Sequence, residues 1–202
     1  MKEYYVFFSD SYLEYPDNES LSLVVSIAGC PHKCPFCHSP ETQNNIQTKY
    51  NLMDYDLITS DASRVMQNEY YKVTEEDISK LIKVIMTLLD YHNTNKLVIT
   101  GGDPLFNKDL SLKLIDLLPS SVYPCIYTGY NINEVKTIFN NYNFTNLNSS
   151  LSNLFIKCGT FDVNNKQQSK KTDSFMVLAS KNQAFYNSKF ELLSKDGILK
   201  FK

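Results

Sequence analysis

The chain has 202 residues, of which 43% are apolar and 21% charged, and a formal net charge of −2; this is the length and composition of one soluble globular domain. So balanced a charge excludes nucleic-acid binding driven by phosphate neutralisation, and no apolar run reaches the ~18–20 residues of a membrane span. Five cysteines, three of them within eight positions, argue against a secreted disulfide framework; with an N-terminus that lacks the charged-then-apolar signal pattern, they predict a cytoplasmic protein.

Strand and helix signals alternate along the chain. Residues 4–8 and 21–28 are β-rich runs, separated by the turn-prone Tyr15-Pro16-Asp17-Asn18-Glu19-Ser20. Residues 41–73 are polar and weakly periodic and read as an insertion or long loop with one helical turn. Thr74-Glu75-Glu76-Asp77 has the form of a capping box, and behind it Ile78, Leu81, Ile82, Ile85, Leu88 and Leu89 recur at helical spacing, predicting a helix to about His92. A short strand over 96–100 ends in Gly101-Gly102, and a helix over 108–118 is stopped by Pro119. A strand over 122–128 ends at Gly129, and a helix over 131–139 is capped by Asn131 or Asn133. Strands follow over 154–158 and 175–179. A C-terminal hairpin, within 188–202, pairs 190–193 with 198–201 through a turn at Asp196-Gly197.

This alternation predicts a mainly parallel α/β sheet, in which ligands gather at the carboxyl ends of the strands. Three unusual segments fall at that rim. The first is Cys30-Pro31-His32-Lys33-Cys34-Pro35-Phe36-Cys37, a Cys-x3-Cys-x2-Cys run directly after the second strand. Three thiolates hold three corners of a [4Fe–4S] cube and leave one iron open, or they form a Cys3His zinc site completed by His32 or His38. The second is Thr100-Gly101-Gly102-Asp103-Pro104, where two glycines let backbone approach a ligand and an acid can pair with an ammonium group. The third is Tyr127-Thr128-Gly129-Tyr130. Cys125 and Cys158 lie in strands and read as buried apolar residues. His32 and His92 read as surface residues, and Lys170-Lys171 as a solvated face.

The cysteine run after the first core strand, followed by Gly101-Gly102-Asp103, resembles the radical S-adenosylmethionine enzymes. Cys34-Pro35-Phe36-Cys37-His38-Ser39-Pro40, Thr100-Gly101-Gly102-Asp103-Pro104-Leu105 and Tyr127-Thr128-Gly129-Tyr130 further resemble the group that activates anaerobic ribonucleoside-triphosphate reductases. Ala179-Ser180-Lys181-Asn182-Gln183 resembles that group's Arg-Gly-Ser-x-Asn-Gln segment more faintly. The likeness spans residues 15–186. The chain departs from the group's pattern at Asp17-Asn18-Glu19-Ser20, at Cys158-Gly159 in place of Asp-Gly, and at Leu178 in place of Arg.

The resemblance implies a single domain over 1–202, built as a partial, open parallel (β/α) barrel. It implies that Cys30, Cys34 and Cys37 ligate three irons of a [4Fe–4S] cluster and that S-adenosylmethionine chelates the fourth. Gly101, Gly102 and Asp103 would receive the methionine ammonium group and Phe36 the adenine, with His38 and Thr128 bordering the ligand. The implied activity is formation of a glycyl radical on the large subunit of an anaerobic ribonucleotide reductase, with electrons from an external donor such as flavodoxin or ferredoxin. Activation of another glycyl-radical enzyme, or action on a small molecule such as a deazaguanine precursor, is the alternative within the superfamily. A non-catalytic zinc or iron–sulfur module is the alternative outside it.

Overall fold

The structure, a computed structural model, describes residues 2–17, 21–37, 39–43, 50–51, 70–146 and 149–201. Eleven strands are formed among them: β1 Glu3–Ser11, β2 Ser22–Ile27, β3 Tyr50–Asn51, β4 Tyr71–Thr74, β5 Lys96–Gly101, β6 Tyr123–Tyr127, β7 Phe155–Cys158, β8 Lys170–Lys171, β9 Phe175–Val177, β10 Ala184–Asn187 and β11 Ile198–Lys200. Three α-helices join them: α1 Ile78–Tyr91, α2 Lys108–Leu117 and α3 Ile132–Asn140. No described helix is long and apolar enough to cross a membrane.

The main sheet has the strand order β10-β7-β6-β5-β2-β1-β4-β3. Its centre, β2-β5-β6-β7, is parallel, whereas β1 pairs antiparallel with both β2 and β4, and β10 antiparallel with β7. The fold is therefore mixed α/β with a mostly parallel central sheet, and the described strands form an open sheet, not a closed barrel. The central strands are nearly continuous apolar runs because both of their faces are covered. On one face Leu23, Val25, Ile27, Leu97, Ile99, Ile126 and Ile156 pack beneath the three helices. On the other, Val24, Val98 and Cys125 meet Tyr15, Met176, Leu178, Phe185 and Leu199 in a second cluster, partly supplied by the small sheet β11-β9-β8.

Local signals place the helices well. The backbone N–H of Thr74 donates to the Asp77 carboxylate at 3.0 Å, so the capping box forms; a 3-10 turn over Glu75–Asp77 then leads into α1. Asn131 caps α3 by accepting from the N–H groups of Asn133 and Glu134.

Four expectations are corrected. The segment 41–73, so far as it is described, contributes strands β3 and β4 and extends the sheet past β1. Strand β10, unanticipated, closes the other edge. The C-terminal hairpin does not form between 190–193 and 198–201. Asp196 and Gly197 do turn the chain with positive φ, but β11 pairs with β9, whose Phe175–Val177 edge was open to it. Lys171 is not a solvated residue: its side chain is buried, donating to the Tyr12 and Tyr15 carbonyls at 2.9 and 2.8 Å.

Candidate metal centre

Because β2, β5, β6 and β7 run parallel, their carboxyl ends share one edge, and each delivers one piece of the rim. Strand β2 leads through Ala28 and Gly29 to Cys30. The thiols of Cys30, Cys34 and Cys37 are free and half-buried. Burial pushes the Cys30 thiol up to about 11. Phe36, between the last two cysteines, has a left-handed backbone (φ 59°) and is 83% exposed. The base of this loop is fixed by the Gly29 N–H donating to the Thr42 carbonyl at 2.7 Å, and by Asn107 Nδ2 donating to the Ala28 carbonyl at 2.7 Å.

Strand β5 ends where backbone crosses backbone. The N–H of Gly102 donates to the Ile27 carbonyl at 2.9 Å and that of Asp103 to the Gly29 carbonyl at 2.8 Å. A Cβ on Gly101, whose φ is +114°, would lie 2.5 Å from the Ile27 nitrogen. A Cβ on Gly102 would press on the Gly29 carbonyl oxygen and lie 2.7 Å from that of Thr42. Gly101 is thus required by its left-handed backbone and the close approach of β2, and Gly102 by the close approach of the base of the cysteine loop.

Asp103 is 1% exposed and is the knot of the rim. Its carboxylate accepts from Leu105 N–H at 2.9 Å, Thr128 Oγ1 at 2.9 Å, Gly129 N–H at 2.8 Å and His32 Nε2 at 2.8 Å. A carboxylate offers about four acceptor sites, so these donors occupy it. The acid expected to face an ammonium group is turned into the protein, and its charge is shared among the ends of β5 and β6 and the cysteine loop. The Gly102 carbonyl, by contrast, takes no donor among the described residues.

His32 is not the surface residue expected. Its side chain is 19% exposed, and the carboxylate of Asp103, as hydrogen-bond acceptor, raises its pKa above the usual imidazole value. Its ring stands edge-on to Tyr130, with centroids 4.8 Å apart. His92 is also largely covered, 3.8 Å from Asp10. Cys125 and Cys158 are buried, as read from their strands. Gln183 is buried too; it donates to the Gly159 carbonyl and accepts from the Ser180 N–H, so it ties β10 to the end of β7. His38 lies outside the described residues.

Three residues escaped the sequence reading. Asn107 occupies an N-cap position yet caps nothing, its amide being spent on Ala28. Thr42 is buried at the far end of the cysteine loop. Lys157 sits over the Tyr127 ring, its ammonium group 5.2 Å from the centroid, and burial lowers its pKa to about 8. A lysine inside the otherwise apolar run Leu154-Phe155-Ile156-Lys157-Cys158 was the available signal.

The donor set suits an iron–sulfur cluster. Soft thiols stand free on a loop, and each thiolate of a cube binds a different iron. No three described His, Cys, Asp or Glu side chains converge on a single ion, an arrangement that a cube does not need. His32 does not join Cys30, Cys34 and Cys37 in such a group among the described residues. A family model described as a 4Fe-4S single cluster domain matches residues 19–186. Comparisons with curated proteins and with solved structures gave no match. The match takes in the cysteine loop, the glycine–aspartate crossing and the Thr128-Gly129 turn, and on it the chain belongs to the 4Fe-4S single cluster domain family.

Proposed function

We propose that this chain is a radical S-adenosylmethionine activase that generates a glycyl radical on an anaerobic ribonucleotide reductase. The observation that carries the reading is the convergence of a three-cysteine loop with the Gly101-Gly102-Asp103 crossing at one strand-end rim. The family's domain is found in radical S-adenosylmethionine proteins, and three cysteines leave one iron of a cube without a protein ligand.

Cys30, Cys34 and Cys37 would hold the cluster, and the Gly102 carbonyl, which takes no donor among the described residues, is suited to accept from the methionine ammonium group. Asp103 acts by position, its carboxylate holding Thr128, Gly129 and, through His32, the cysteine loop in register. Phe36, exposed at the tip of the loop, offers a ring face to an adenine. When bound, the cluster and S-adenosylmethionine supply reductive sulfonium cleavage and hydrogen-atom abstraction from a glycine Cα, with electrons from an external donor such as flavodoxin or ferredoxin. The protein's part is to position those groups and shield them. Beneath the rim the sheet offers a row in register, Ser26 opposite Thr100 and Tyr127 opposite Lys157, on the face away from the helices.

The test is anaerobic incubation of the reduced, iron-loaded chain with S-adenosylmethionine and the large subunit of an anaerobic ribonucleotide reductase, monitored by electron paramagnetic resonance. A doublet that requires all three components supports the activase reading. Cleavage of S-adenosylmethionine without any radical on the reductase would reject that partner and move the chain to another radical S-adenosylmethionine chemistry.

A further inference from the structure

We infer that His32 is the positioning residue that locks the cysteine loop onto the strand-end rim through its bond to Asp103, and that iron is held long only while this lock is closed. The inference rests on the cluster reading above and assigns His32 a task that the metal ligands cannot perform for themselves.

Among the described residues, the bond from His32 Nε2 to Asp103 Oδ2 is the single hydrogen bond joining the segment from Cys30 to Cys37 to the rest of the fold. The other bond within that segment, from the Cys30 thiol to the His32 carbonyl at 3.6 Å, is internal to it. All three candidate ligands therefore sit on a loop tethered at its base and at one point in its middle. Ordering loop backbone on binding carries an entropy cost, so a pre-formed tether directly favours metal capture. Its acceptor is well chosen: Asp103 is already fixed by Leu105, Thr128 and Gly129, so the imidazole docks on an immobile anion.

The surroundings are shaped for this ring. A Cβ on Gly129 would fall 2.5 Å from His32 Cδ2 and 2.8 Å from Nε2. Gly129 has no left-handed backbone to demand glycine, so the imidazole is what requires it. Tyr130 closes the other side of the ring. The position between Cys30 and Cys34 is thus a socketed bolt, whereas Phe36, between Cys34 and Cys37, stands exposed.

Three substitutions separate the bond from mere packing. His32→Phe keeps a ring in the socket and removes the N–H donor. His32→Gln keeps an N–H donor of similar reach and removes the ring. Gly129→Ala leaves His32 intact and expels it. After anaerobic reconstitution, iron release to a ferrous chelator should be between about tenfold and a hundredfold faster for His32→Phe and Gly129→Ala than for the unaltered chain. His32→Gln should fall within a few-fold of the unaltered rate. Release from His32→Phe at the unaltered rate would overturn the lock.

A second measurement needs no iron: trypsin cleavage after the exposed Lys33 in metal-free protein, with far-UV circular dichroism verifying that each variant is folded. Cleavage should be about tenfold faster in both His32→Phe and Gly129→Ala; equal rates in all three proteins would overturn the lock. Should the unaltered chain take up no iron–sulfur cluster, the cluster reading fails, and the cleavage rates still decide the lock.

Discussion

Gly102→Ala tests the crossing on which the whole rim depends. The added Cβ would press on the Gly29 carbonyl oxygen, 2.6 Å from its carbon and 2.7 Å from the Thr42 oxygen. Contacts of that kind are not found below 3.0 Å, so the backbones must part by about 0.4 Å or more. All the neighbours are main chain, so no side chain can swing aside. The movement strains the bonds from Asp103 N–H to Gly29 and from Gly29 N–H to Thr42, now 2.8 and 2.7 Å long. Overpacking of a tight site costs about 1–3 kcal/mol and each weakened buried bond up to about 1 kcal/mol. A loss of about 3 kcal/mol follows, or a fall in Tm of roughly 6–12 °C for a chain of this size. Gly159→Ala is the control: its φ is +104° but its Cβ would approach nothing closer than 3.2 Å, so only backbone strain of about 1–2 kcal/mol applies. The assay is urea unfolding of the metal-free proteins, followed by iron and sulfide analysis after reconstitution. A Gly102→Ala protein within about 1 kcal/mol of the unaltered chain, loading iron fully, would refute the close-crossing argument.

Asp103→Asn preserves shape, but whichever way the amide lies its NH2 meets a backbone N–H, of Leu105 or of Gly129, and the substitution should cost about 2–4 kcal/mol in urea unfolding; a neutral effect would show that the four-donor knot does not stabilise the rim. For Lys157 the sign follows from its lowered pKa, about 8 against 10.5. Below pH 8 both states are protonated and the full cost of burying the charge is present, up to about 3 kcal/mol. Between pH 8 and 10.5 the folded state sheds its proton first and the cost disappears. Lys157→Met should therefore be more stable than the unaltered chain at pH 7, with an advantage that vanishes by about pH 10.5; a difference independent of pH would contradict the burial of that ammonium group.

What could be read in advance divides along the line between local and non-local causes. Helix α1 was legible because its capping box and its apolar period from Ile78 to Leu89 both act within a few residues. Strand β1 showed in the alternation of Tyr4, Val6 and Phe8, all buried. The turn at Asp196-Gly197 was also read correctly, yet its strand β11 found a partner more than twenty positions away, at β9. Strands β4 and β10 are four residues each and are defined by β1 and β7, not by any pattern of their own. The same division holds at the site. Cysteine spacing and parallel topology foretold which segments meet at the rim. The inward turn of Asp103 and the role of His32 did not show, because a histidine between Pro31 and Lys33 has the look of a surface residue until Gly129 and Asp103 are folded against it.

The central claim is that the cysteine loop carries an open-iron cluster working on S-adenosylmethionine. Its most direct test is anaerobic reconstitution with iron and sulfide, reduction by dithionite in the presence of S-adenosylmethionine, and assay for 5′-deoxyadenosine, with Cys34→Ala alongside. The account predicts about four irons per chain and 5′-deoxyadenosine that disappears in the Cys34→Ala protein. Tightly bound zinc with no 5′-deoxyadenosine, or product undiminished by the substitution, would contradict it.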